Sequence, residues 1–121
     1  MQAFRFTLEP DPVVLADLRH ALAGWLEQAE VEDRSSAGIV LATHEVAANA
    51  IAHADSAAEP VQVAARLIEG VVTVQVRDPR RRTAHAPGAD ELGLELIEEL
   101  VSELQVETDS RGTTLQLLCR V

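Results

Sequence analysis

Residues 61–68, VQVAARLI, and 71–77, VVTVQVR, are separated only by Glu69 and Gly70. Two β-rich runs around a two-residue turn read as a hairpin, and no other stretch constrains the fold as tightly. In the second run Val72, Val74 and Val76 fall on one face, and Thr73, Gln75 and Arg77 on the other. One apolar face and one wetter face is the pattern of an antiparallel sheet covered on a single side.

Helical patterns elsewhere supply the cover. Between Val13 and Ala29, Val14, Leu15, Leu18, Leu22, Trp25 and Leu26 recur at helical spacing, with Trp25 read as core. A polar connection over 30–36 leads to a second helix, with Asp33 as its expected N-cap, running to about Ala54. Residues 91–104, ELGLELIEELVSEL, predict a third helix capped by Asp90. Residues 3–8 read as a first strand, and residues 105–107 and 113–121 as two last strands around a turn at 109–112. The expected order is β-α-α-β-β-loop-α-β-β. Strands not separated one by one by helices exclude a doubly wound parallel fold. The expected class is α+β, a two-layer sandwich of a mostly antiparallel mixed sheet with three helices on one face.

A chain of 121 residues fits a single domain. No apolar run approaches the ~20 residues of a membrane span, and the N-terminus lacks a signal-peptide core. A cytoplasmic protein with no membrane partner is the expectation. The net charge of −10 argues against direct nucleic-acid binding, which needs a basic face. Cys119 is the single cysteine, so no internal disulfide can form, and a small core or edge role is the simplest reading. The four histidines and this cysteine show no zinc spacing. There is no lysine, and three of the ten arginines, Arg80, Arg81 and Arg82, are consecutive. They lie in 79–90, PRRRTAHAPGAD, which has no periodicity; loops of that length are usually functional or mobile. A cationic cluster of this kind suits phosphate or an acidic partner, and is equally compatible with a solvated basic loop.

Residues 41–54, LATHEVAANAIAHA, carry Glu45, Asn49 and His53 at steps of four, so the three project from one stripe of the second helix. Alone, that is a polar solvent stripe. Together with two other features it fits a purine nucleoside triphosphate. Asp78, closing an apolar strand, offers an acceptor for the exocyclic amine. Asn49 offers an amide oxygen for magnesium, which takes most of its ligands from phosphate and water. The start of the third helix around Gly93 and Leu94 offers backbone N–H groups and a favourable dipole for phosphates. Glu45, one turn before Asn49, would face the terminal phosphate and accept a proton from an attacking hydroxyl.

The run from Leu41 to Ala54, with Glu45, Asn49 and His53, resembles the first box of the Bergerat-fold, histidine-kinase-like ATP-binding proteins, and most closely that of the bacterial anti-sigma-factor serine/threonine kinases. Val76-Arg77-Asp78 resembles the start of their second box, Leu92 to Ile97 the third, and Arg111 to Leu115 the last. The resemblance spans nearly the whole chain in the right order. It implies ATP and Mg2+ as cofactors. It implies Glu45 as catalytic base and Asn49 as magnesium ligand. Asp78 would bind adenine, helped by Thr113, while Gly93 and Leu94 would hold phosphates through their backbone. His53, Thr114 and the arginines 80–82 join the nucleotide-binding set, with 79–90 as a lid. Family members of this size typically form homodimers, sequester a sigma factor and phosphorylate a serine of an anti-anti-sigma protein.

The chain departs from the pattern at the phosphate end. The second box normally reads Asp-x-Gly-x-Gly; here Pro79, Arg80, Arg81 and Arg82 follow Asp78. Glu91 stands where the third box normally opens with glycine. A carboxylate there suits an empty helix N-terminus and repels an arriving triphosphate. Two classes therefore stay open: an ATP-dependent protein kinase doubling as an anti-sigma factor, and a regulatory module that holds a sigma factor or another regulator with little or no nucleotide chemistry.

Overall fold

The computed structural model describes residues 3–52, 59–79 and 89–121, with residues 89–94 as backbone. Five strands form one sheet in the order β1-β2-β3-β5-β4. They are β1 (Phe4–Leu8), β2 (Val61–Ile68), β3 (Val71–Asp78), β4 (Glu103–Asp109) and β5 (Gly112–Arg120). Every ladder is antiparallel, so the sheet is more uniform than the expected mixed one. The helices are α1 (Leu15–Gln28), α2 (Asp33–Ala52) and α3 (Ala89–Leu100). None among the described residues is long and apolar enough to cross a membrane.

The β2–β3 hairpin turns on Glu69 and Gly70 with φ of 49° and 77°. Two positive values define the turn whose twist matches that of paired strands. This sets the register Val63↔Val76 and Ala65↔Val74. Alternation then sends Val72, Val74 and Val76 to one side, where all three are fully buried. The neighbouring strands add Val61, Val63, Leu115 and Leu117 to the same side. Leu18, Leu22 and Leu26 of α1 and Ile39, Val46 and Ala50 of α2 close over them. Each such aliphatic side chain contributes roughly 1.5–3 kcal/mol by leaving water.

Several boundaries differ from the sequence reading. Asp11 caps a short 3-10 turn, Pro12–Val14, by accepting from the Val13 N–H at 3.0 Å, and α1 starts only after it. Asp33 is the first residue of α2, so Glu32 takes the cap position; the Ser36 N–H reaches the Glu32 carbonyl at 2.9 Å. The third helix begins two residues earlier and ends four residues sooner than expected, because Glu103 already joins β4. Pairing with β5 along its full length overrides helical periodicity there. The expected loop, apart from Pro79 and Ala89-Asp90, lies outside the described residues, as does His53.

Candidate functional site

Asp78 continues the parity of Val72, Val74 and Val76, so its carboxylate enters the helix-covered side at the end of β3. Its exposure is 0%, unusual for a charged group. Thr113 of β5 stands opposite it in register and is 1% exposed. Thr108 of β4 stands opposite Thr113, and the two hydroxyl oxygens lie 3.4 Å apart. A polar row, Asp78, Thr113 and Thr108, thus closes an otherwise aliphatic face. Thr108 was missed in the sequence. Its signal was there in the alternation of Leu104, Val106 and Thr108, and the cross-strand partner had to be known to use it.

Gly112 explains how β5 comes this close. Its φ is 139°, a conformation that favours glycine. A Cβ added there would collide with the Asp78 carbonyl oxygen and sit 2.9 Å from Pro79 Cα. The glycine lets the start of β5 lie directly on the end of β3, where Asp78 is held.

Helix α2 packs across β2, β3 and β5. Alanines 42, 47 and 50 are buried beneath it, and their small side chains let the helix ride close to the sheet. Glu45 and Asn49, one turn apart, are half-buried at its flank. The rotation of α2 is tied to α1 by Arg19, whose Nη1 lies 3.0 Å from His44 Nδ1. A guanidinium can only donate, so the imidazole nitrogen accepts. This contact fixes the residue immediately before Glu45.

Two expectations are corrected. Thr114 alternates to the opposite side of β5 from Thr113, facing Arg77 across the ladder, so its side chain is not on the Asp78 side. Gly93 and Leu94 lie in the second turn of α3, which opens at Ala89. The unpaired N–H groups of a helix belong to its first turn. His53 and the arginines 80–82 lie outside the described residues. The structure pairs Asp78 with Thr113 at the end of the sheet and puts Glu45 and Asn49 one turn apart on α2, the helix that packs on the same face.

This donor and acceptor set fits an adenine nucleotide at its base end. A fully buried carboxylate beside a buried hydroxyl can accept from an exocyclic amine, whereas a solvated one would bind water equally well. A single amide oxygen at Asn49 matches what magnesium usually takes from protein when phosphates and water supply the rest.

Comparisons with known proteins agree with this geometry. A model of the histidine kinase-like ATPase domain matches residues 8–119. No curated protein matches the sequence at a significant level. Among solved structures, the chain resembles that of the RsbU and RsbW domains of Rv1364c from Mycobacterium tuberculosis, with a TM-score of 0.81 and 28% identity over 99% of its length. It spans 32% of that longer chain. The SiaB–SiaC complex of Pseudomonas aeruginosa contains a similar fold, with a TM-score of 0.75 at 17% identity, covering 95% of this chain and 88% of the other. The histidine kinase domain of the blue-light activated kinase of Erythrobacter litoralis EL346 aligns with a TM-score of 0.62 at 21% identity, over 88% and 60%. A match across almost the full length of the chain places it in the histidine kinase-like ATPase domain family.

Proposed function

We propose that this domain binds ATP with magnesium and transfers its terminal phosphoryl group to a serine or threonine of an anti-anti-sigma protein, while sequestering a sigma factor in its other state. The observation that carries the reading is Asp78, fully buried in register with Thr113 at the end of a valine face. A carboxylate held this deep at the end of an apolar strand is placed to accept from an adenine amine, and the buried Thr113 hydroxyl lies beside it. In this reading Asp78 and Thr113 orient the base, and Asn49 lends an oxygen to magnesium. Bound ATP supplies the transferable phosphoryl group. Glu45 takes the proton of the acceptor hydroxyl. His53 and the arginines 80–82 are proposed to contact phosphate, with 79–90 as a lid. The single domain would act as a homodimer in the cytoplasm. Protein partners are supported by a structural neighbour solved as a complex with a second protein and by another that carries RsbU and RsbW domains in one chain.

A second reading has its own support. Arg80 and Arg82 stand where both glycines after Asp78 would be, and Glu91 replaces the glycine of the third box. A module that holds a regulator without phosphotransfer would tolerate these losses. Calorimetric titration with ATP, with and without magnesium, separates the two. Magnesium-dependent binding that is weakened in Asp78→Asn supports the kinase reading. No detectable heat with either form removes it and leaves the binding module.

A further inference from the structure

The outward face of the sheet carries a charge pattern that the nucleotide site does not use. Arg5, Arg66, Arg77 and Arg120 all lie on it and are exposed, one each on β1, β2, β3 and β5. Glu103, Glu107 and Asp109 oppose them among the strand residues of that face, and all three sit on the β4 edge. The β1–β3 part of the face, with Arg5, Arg66 and Arg77, is thus a cationic patch on a chain with a net charge of −10. The helical side runs the other way: α3 alone, ADELGLELIEEL, has five carboxylates and no cation.

The face also holds a small recess, lined by Glu59, Pro60, Gln62, Arg77 and Pro79. Gln62 and Arg77 are direct cross-strand partners. Thr7 donates to Gln62 Oε1 at 3.0 Å, which occupies the amide oxygen and leaves the amide N–H groups to donate. An amide and a guanidinium side by side form a donor pair suited to a carboxylate. The two prolines wall the recess without adding N–H groups. Glu59, at the rim, is its one opposing charge.

We propose that this face docks an acidic segment of a protein partner, with one of its carboxylates seated between Gln62 and Arg77. A nucleic acid fits less well. Single strands bind sheets by stacking bases on aromatic side chains, and Phe4 and Phe6 point to the opposite side of β1, leaving this face with none. A second copy laid strand for strand on the β1–β3 patch would bring arginine against arginine. An acidic segment meets the arginines with opposite charge, and long-range attraction speeds its approach from the sheet side rather than the helical side.

Fluorescence anisotropy with a labelled oligo-glutamate peptide tests this on the full chain. The native protein is expected to bind it, more weakly as salt rises. Arg66→Glu with Arg77→Glu should reduce affinity at least about tenfold, and Arg77→Gln should act in the same direction with less risk to the fold. Arg34→Glu, on α2, should change nothing. Absence of binding to the native chain overturns the proposal, as does unchanged affinity in the double variant. So does loss of binding only when Arg80, Arg81 and Arg82 are replaced, which would put the anion on that segment. Equal affinity for an oligo-thymidylate of the same charge would show unspecific polyanion attraction and overturn it too.

Discussion

Asp78 joins the chemistry of the site to the packing of the sheet. Its backbone is a rung of β3, its side chain replaces what would be the next valine, and its carbonyl lies against Gly112. Asp78→Asn keeps the shape and removes the charged acceptor. Adenine nucleotide affinity should fall by about 1–3 kcal/mol, because the amine then meets an amide that no longer offers two acceptor oxygens. Glu45→Ala should act differently, with phosphotransfer lost and ATP binding largely retained. Phosphorylation of a partner at the parental rate by the alanine variant would remove Glu45 from the proton-accepting role. Gly112→Ala probes packing. The added methyl must displace the Asp78–Pro79 backbone, at a cost above about 2 kcal/mol in urea unfolding, and nucleotide affinity should fall with it. A variant of parental stability would mean that the strand ends are free to separate.

At the scale of elements, the end of α1 shows how a local rule can be broken and still hold. Glu30 has a φ of 61°, where glycine is usual. The Val31 N–H bonds the Leu26 carbonyl at 3.1 Å and the Glu30 N–H bonds the Glu27 carbonyl at 3.0 Å, the two bonds that end a helix with a left-handed residue. Val31 is buried immediately beyond. The chain thus turns into α2 at a point fixed by packing, with a residue that the conformation disfavours. Glu30→Gly should raise stability by roughly 0.5–1 kcal/mol, the relief of strain less the extra entropy of a glycine in the unfolded chain. Thermal unfolding reads this directly, and a lower melting temperature would show that the glutamate side chain contributes something else. A similar tie is the Arg19–His44 contact, which sets the rotation of α2 from a neighbouring helix rather than from its own sequence.

For the molecule as a whole, Cys119 reports on the integrity of the core. It lies on β5, between β3 and β4, and is buried. Burial pushes its thiol up from 9.0 to about 11, partly offset by a backbone hydrogen bond involving Ser102. A folded value above the unfolded one means that the thiol's contribution to stability is complete below pH 9 and is lost as pH rises toward 11. Unfolding measured across that window should show a decline that is smaller in Cys119→Ala. At neutral pH, alkylation of the native protein should be slow, since Cys119 is buried on a strand paired on both sides and its thiol is protonated. Rapid labelling of the native chain would contradict the central placement of β5.

Local alternation determined much of this protein before any tertiary contact was considered. The valines of β3, the two-residue turn and the leucine spacing of α1 specify a hairpin, a covered face and a helix to cover it, because side-chain periods of 2 and 3.6 are properties of the backbone. The ordered motifs around Glu45, Asn49, Asp78 and Thr113 were legible for the same reason, as short-range spacings. Tertiary structure decided the rest. Only strand pairing could place Thr108 and Thr113 beside Asp78, send Thr114 to the other side, and convert residues 103–104 from helix to strand. Only the assembled sheet could gather the arginines of β1 and β5 onto the same surface as those of the β2–β3 hairpin, since Arg5 and Arg120 pair with Ala64 and Val71, tens of residues away in the chain.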